Sequence, residues 1–227
     1  MNYYESHFDD YIIKNSAFNL HPELDNIKKT ILNNKNLSTN LLLYGPMGVG
    51  KYTQALSILK LVSPSKLKYE KKLTIVSNKV EYFIKISDIH FEIDMALLGC
   101  NSKILWHEIY TQIVDILFTK NNKQGIILCK NFQDVHSELL DIFYSYIQKN
   151  NFSIKLYFMI ITNEISFIPT NILNACKIIN ISRPTKKMYS KCSKHIIANK
   201  IPDNINNIKY LYSENRSTNL TIPYKII

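Results

Sequence analysis

Arginine is nearly absent from this chain, which holds only Arg183 and Arg216 among 28 basic residues in a total of 227. Few residues are therefore available for any role that needs a guanidinium group. No apolar run approaches the ~20 residues that a membrane-spanning helix needs. The amino-terminal residues also lack the basic-then-apolar pattern of a secretory signal. The sequence predicts an intracellular protein with no membrane span.

Cysteine pairs are missing as well, since the 4 cysteines are far apart and none belongs to a CxxC or CxxH pattern. This spacing argues against a zinc site and predicts reduced thiols. The net charge of +10 is carried almost wholly by lysine. Asn, Ile, Lys and Tyr are abundant, and all four have AT-rich codons. The charge alone therefore does not distinguish a polyanionic partner from a codon bias.

Short apolar runs alternate with amphipathic segments through most of the chain. This order predicts an α/β domain of three layers with a mainly parallel sheet. After Pro184 the pattern changes, so we expect a first domain at residues 1–184 and a short helical segment at 185–227. The expected strands are 41–44, 73–76, 80–86, 91–93, 125–129, 156–162 and 177–181; the expected helices are 22–34, 51–62, 103–118 and 135–148.

A glycine-rich turn follows the first apolar run and fits the pattern G-x-x-x-x-G-K. Small residues let successive backbone N–H groups turn inward around a phosphate, and the next helix presents its positive end to the same anion. The lysine then reaches the terminal phosphates. The sequence therefore predicts a site for ATP or ADP, formed by Gly45, Pro46, Met47, Gly48, Val49, Gly50, Lys51, Tyr52 and Thr53.

Tyr52 stands where this motif should have Ser or Thr, whose hydroxyl coordinates Mg²⁺. A phenol on a long side chain cannot take the place of a short hydroxyl. Thr53 follows one residue later. The loop is expected to hold phosphates, but it lacks the Ser or Thr hydroxyl that would coordinate Mg²⁺.

At this point the chain resembles a known family, the AAA+ clamp-loader small subunits of replication factor C. The specific likeness is to the subunit whose loop runs Gly-Lys-Lys-Thr, which Gly50-Lys51-Tyr52-Thr53 fits with one change. The resemblance covers about residues 35–184. It implies that Asn163, at the end of LYFMIITN, positions the attacking water. The other matching segments are NLSTNLLLYGP at 36–46, HFEIDMALLGCNSKILWHEI at 90–109, GIILCKNFQDVHSELLDIFYSYIQ at 125–148 and ILNAC at 172–176.

The chain departs from this family at its catalytic positions. Lys130 and Asn131 replace the acidic pair that should end the Walker B strand, and Ala175 replaces the arginine finger. Thr221 follows Asn219-Leu220, where the lid should carry a further arginine. An arginine finger is worth ~10³–10⁵ in rate, and metal and carboxylates supply much of the rest. These changes predict nucleotide binding without hydrolysis.

The resemblance further implies partners: other clamp-loader subunits, a sliding clamp, and primer–template DNA held through the assembled complex. Lys103, at the start of a helix, is the candidate DNA contact, and the alternative is an ordinary solvated lysine. Residues 185–227 suffice for a reduced lid, with no collar domain. The composition suits a large DNA virus or an AT-rich parasite, and the expected location is the nucleus or a cytoplasmic viral replication site.

Two other interpretations stay open. One is a degenerate AAA+ scaffold that only packs between partner subunits. The other is an active P-loop ATPase of another kind, such as a helicase loader, which would have to recruit Asp88, Asp134 or Glu138 as its acid.

Overall fold

The computed structural model describes residues 7–33, 37–77, 80–149 and 154–194. These residues form a seven-stranded sheet with helices on both faces. The strands are β1 (Asn40–Tyr44), β2 (Lys71–Ser77), β3 (Val80–Ile86), β4 (His90–Asp94), β5 (Gln124–Lys130), β6 (Lys155–Thr162) and β7 (Cys176–Asn180). The predicted fold class, an α/β domain with a mainly parallel sheet, is confirmed.

The strand order across the sheet is β2-β3-β4-β5-β6-β1-β7. Strands β4, β5, β6, β1 and β7 run parallel, whereas β2 and β3 form an antiparallel hairpin at one edge. Because the parallel strands share one direction, β1, β4, β5 and β6 all end at the same edge of the sheet. We call this the carboxyl edge, and the segments that follow these strands meet there.

The helices are α1 (Phe8–Ala17), α2 (Asp25–Asn33), α3 (Lys51–Val62), α4 (Ser102–Thr119), α5 (Ser137–Gln148), α6 (Thr170–Asn174) and α7 (Lys186–Lys194), with 3₁₀ turns at Pro22–Leu24, Met95–Leu97 and Phe132–Asp134. The four expected helices correspond to α2, α3, α4 and α5, with small shifts at their ends. The sequence did not predict α1. Most of its residues are polar, and its buried residues are Phe8 and Ile12, so its helical spacing is weak in the sequence.

The sheet separates two apolar cores, as the alternation of strand side chains requires. On one face, Leu41 and Leu43 of β1 pack with α1 and α3. On the other face, Leu42 packs with the group that includes Trp106 of α4 and Phe143 of α5. Strand β1 is therefore packed on both faces, and α3, which follows it after the turn, covers one of them.

Helix α7 begins just after the predicted boundary at Pro184, but residues 195–227 lie outside the described part. The division at residue 184 and the reduced lid therefore stay predictions. No helix among the described residues has the length and apolar character needed to span a membrane.

Candidate nucleotide-binding site

The glycine-rich turn lies between the end of β1 and the start of α3, at the carboxyl edge. Its backbone turns through left-handed conformations at Gly48 (φ 73°) and Gly50 (φ 93°), which favour residues without a Cβ atom. Val49 is buried and anchors the turn against the core, while Met47 is 56% exposed. Gly50 also caps α3, so the positive end of that helix faces the loop.

Lys51 and Asn163 are brought together across 112 residues of sequence. The Lys51 Nζ atom donates to Asn163 Oδ1 at 2.8 Å, and also to the carbonyl oxygens of Gly45 at 2.6 Å and Pro46 at 2.8 Å. Lys51 is only 8% exposed. The two residues that sequence reasoning assigned to phosphate and to water positioning therefore share one small space.

Gln133, in the 3₁₀ turn after β5, supports this pair. Its Oε1 atom accepts from the backbone N–H of Asn163 at 3.2 Å. Its Nε2 atom donates to Asp134 Oδ2 at 2.9 Å, and Asp134 is exposed. Asp134 is thus linked to Lys51 through two intervening residues.

His21 contacts the loop although it precedes α2 in the sequence, and no sequence pattern indicated this contact. It is fully buried, and its Nε2 atom lies 2.7 Å from the carbonyl oxygen of Val49. Because a carbonyl can only accept, this nitrogen carries a proton and donates. The Nδ1 atom faces the Glu23 carboxylate at 3.0 Å. The imidazole therefore ties the loop to the 3₁₀ turn that precedes α2.

Tyr52 points to a carboxylate on a strand of the sheet. Its hydroxyl donates to Glu92 Oε2 at 2.7 Å, and Lys130 Nζ lies 3.0 Å from Glu92 Oε1. The Lys130 ammonium also lies 4.8 Å from the centre of the Tyr52 ring. We call Tyr52, Glu92 and Lys130 the Tyr–Glu–Lys cluster. Burial, followed by the nearby Glu92 carboxylate, raises the pKa of Tyr52, so the phenol keeps its proton.

The residues at this edge do not fit a magnesium ion, which needs several freely offered oxygen ligands in octahedral geometry. Both oxygens of Glu92 are engaged within the cluster. The Asn131 amide donates to both carboxylate oxygens of Asp94, at 2.9 and 3.0 Å. Among the described residues, no group of three His, Cys, Asp or Glu side chains could hold a metal. Thr53, one residue beyond Tyr52 on α3, is half-buried.

The other candidate acids are not placed to act. Asp88 precedes β4 and so lies at the opposite edge of the sheet, where it accepts from the Ser63 hydroxyl at 2.7 Å and the Ser65 N–H at 3.0 Å. Glu138 is exposed on α5. The arrangement can therefore bind an anion, and of the three candidate acids Asp134 is the one linked to the loop, through Gln133 and Asn163.

The remaining predicted residues lie on the surface or outside the described part. Lys103 is exposed in the first turn of α4, and Arg183 is exposed beyond β7. Ala175 ends α6, where the family would place its arginine finger. Thr221 is outside the described residues.

Comparison with solved structures finds the RuvB Holliday junction branch migration motor of Thermotoga maritima. One RuvB structure is 14% identical, with a TM-score of 0.47, over 78% of this chain and 49% of the RuvB chain. A mutant form of RuvB is 13% identical, with a TM-score of 0.47, over 85% of this chain and 54% of its own. The chain thus spans about half the length of the RuvB chains. Neither a protein-family model nor a curated protein sequence matches it.

Proposed function

We propose that this chain binds ATP or ADP through its phosphate loop without hydrolysing it, as a subunit of a replication factor C-like clamp loader in DNA replication. One observation carries the proposal. Lys51 is held at the loop beside Asn163, while the end of β5 carries Lys130 and Asn131 in place of acids.

Binding is supported by the direction of the donors at the loop. Gly48 and Gly50 give the backbone the turns that a phosphate cradle needs, and α3 adds its positive end. Lys51 donates to oxygen atoms of the loop and of Asn163. A phosphate oxygen could replace any of these acceptors with a stronger charge-assisted bond.

The expected lack of turnover follows from what hydrolysis requires. Phosphoryl transfer is mostly charge neutralisation and positioning, and a water must be oriented for attack. Asn163 could orient a water, but Asp134, the carboxylate linked to it, is exposed and reaches it only through Gln133. The described residues at this edge also lack the ligands that magnesium needs. We therefore expect the site to bind nucleotide without hydrolysing it.

The purified protein is expected to bind ATP and ADP with an affinity on the order of micromolar and to release no phosphate above background. Lys51→Ala should abolish binding, because it removes the cation at the centre of the loop. Titration calorimetry and a phosphate-release assay measure the two properties. Lys60→Ala, at the far end of α3, serves as the matched control and should bind like the unaltered protein.

Two other functions are separated by the same assays. A pure scaffold is favoured by the three oxygen acceptors that Lys51 already has within the protein. Failure of the unaltered, folded chain to bind either nucleotide would exclude the proposed binding and favour the scaffold. An active ATPase is favoured by the link from Asp134 through Gln133 to Asn163. Hydrolysis that Lys51→Ala removes would establish that one.

The clamp-loader role rests on the sequence resemblance over residues 35–184 and on loss of the catalytic residues, which suits a subunit that works beside active partners. Other clamp-loader subunits, a sliding clamp and primer–template DNA are the proposed partners. The proposed location is the nucleus or a cytoplasmic viral replication site. Purification of the complex from the native source tests the role, and recovery of the chain without any clamp-loader subunit would contradict it.

DNA contact through Lys103 is expected to be electrostatic. The side chain is exposed at the start of α4, which follows β4 and so lies toward the carboxyl edge. In the assembled complex, Lys103→Ala should weaken binding equally for all DNA sequences and reduce the log–log salt slope by about 0.9. Fluorescence anisotropy at several salt concentrations measures this. Lys155→Ala, at the opposite edge of the sheet, is the control, and an unchanged slope for Lys103→Ala would exclude this contact.

A further inference from the structure

The Tyr–Glu–Lys cluster occupies the positions that normally serve the metal in a phosphate loop. Tyr52 directly follows Lys51 in the first turn of α3, where the metal-binding hydroxyl would be. Lys130 ends β5, where the first Walker B acid would be, and it pairs with Asp94 across the sheet. A fixed cation thus stands where a carboxylate would otherwise attract a divalent ion.

The Lys130 ammonium is held in place rather than free to swing into solvent. Glu92, whose side chain is only 5% exposed, fixes it at 3.0 Å, and the face of the Tyr52 ring lies beneath it at 4.8 Å. Tyr52 is in turn fixed by its bond to Glu92 and by the edge-to-face contact with Tyr11 at 4.9 Å. The side chain of Glu92 therefore aligns both neighbours at once.

The Lys130 side chain is also partly exposed to solvent. The Lys130 side chain is 27% exposed, and an ammonium has three donors. Among the described residues, Glu92 is the hydrogen-bond acceptor of this group. With one donor given to Glu92 and the Tyr52 ring on one side, the ammonium can still donate to a further anionic oxygen.

We infer that Lys130 replaces the divalent metal, so that this site binds the metal-free nucleotide anion. This inference rests on the proposed nucleotide binding. Lys51 and Lys130 together neutralise the phosphates from within the protein. A magnesium–nucleotide complex would bring a second cation against the Lys130 ammonium, and like charges at short range repel strongly in a partly buried site. Magnesium should therefore weaken binding here, whereas in a site with Walker B acids it strengthens binding.

The first test needs no substitution. Titration calorimetry of ATP and ADP with the full chain is carried out in EDTA and again in excess Mg²⁺. We expect binding in EDTA to be at least as tight as binding in Mg²⁺. Tighter binding in Mg²⁺ would overturn the inference and leave the proposed function standing. Absence of binding in both buffers would instead overturn the proposed function itself.

Two variants then test Lys130. Lys130→Gln keeps length and polarity but removes the charge, and it should weaken binding in EDTA about tenfold, as expected for loss of one charge-assisted hydrogen bond. Lys155→Gln, an exposed lysine at the opposite edge, should change nothing. Unchanged EDTA binding by Lys130→Gln would show that Lys130 does not meet the phosphates.

The double variant Tyr52→Thr with Lys130→Asp places a short hydroxyl at residue 52 and a carboxylate at residue 130, the groups that bind the metal in an ordinary phosphate-loop site. We expect it to reverse the metal response, so that Mg²⁺ tightens binding at least about tenfold relative to EDTA. The fluorescence of Trp106, the only tryptophan, reports whether each variant is folded. A folded double variant that still prefers metal-free nucleotide would contradict the assignment of these positions.

Discussion

Gly45→Ala is expected to destabilise the protein by more than about 3 kcal/mol, beyond the usual cost of overpacking, because the added methyl would meet backbone rather than side chain. A Cβ atom at Gly45 would lie well under 3.0 Å from the carbonyl oxygen of Ile181. Moving Ile181 away would break the bond from its N–H to the Tyr44 carbonyl at 2.8 Å. The chain after β7 is therefore clamped against the start of the phosphate loop.

Urea unfolding followed by the fluorescence of Trp106 measures this effect. Gly99→Ala is the matched control, since a Cβ atom there meets nothing within 4 Å and the remaining cost is the left-handed backbone at φ 61°. That cost should be about 1 kcal/mol. Equal losses for the two variants would show that the clash at Gly45 is relieved by a movement that costs little.

Acidification from pH 7 to pH 4 is expected to cost about 3 kcal/mol of unfolding free energy through His90 alone. His90 is fully buried against the Phe8 ring, at 5.0 Å between ring centres. The Ser87 hydroxyl accepts from the backbone N–H groups of Ile89 and His90 and therefore gives its own proton to His90 Nδ1. Burial, which outweighs the attraction of Asp88, lowers the pKa of His90 to about 3.

The free energy of unfolding depends on how many protons the folded and unfolded chains bind. Between the unfolded pKa of about 6.5 and the folded value, the unfolded chain binds one proton that the folded chain does not. Stability therefore falls as the pH drops through this window and is unaffected above it. His90→Gln should remove about 3 kcal/mol of the pH 7 to pH 4 loss. The exposed His136→Gln should leave it unchanged. Identical pH profiles for His90→Gln and the unaltered protein would refute the assignment.

His90 and Gly45 lie beside different parts of the candidate site. His90 lies on β4 two residues before Glu92, and successive residues on one strand face are two apart. Protonation of His90 would therefore disturb the strand that carries Glu92. Gly45 directly follows β1 and lies at the start of the phosphate loop. The loop and the Tyr–Glu–Lys cluster are thus held by two separate backbone anchors.

The sequence alone determined the fold class and the helix after the loop. These features are local, because alternation and helical spacing are written within a few residues. The approach of Lys51 to Asn163 was also predictable, since both follow strands of one parallel sheet and carboxyl ends of parallel strands meet. The resemblance to replication factor C supplied the role of Asn163, not the geometry.

Tertiary structure decided what surrounds the loop. His21 reaches Val49 across 28 residues, and Lys130 reaches Glu92 across 38. Neither pair has a spacing that sequence reasoning could detect, because the partners lie on different elements and meet only once the sheet is formed. Of the two aspartates suggested as substitute acids, Asp88 was separated from the loop in the same way, whereas Asp134 was joined to Asn163 through Gln133. Strand direction places Asp88 at the opposite edge of the sheet from the loop, and the pairing of β4 with β5 brings Lys130 to Glu92.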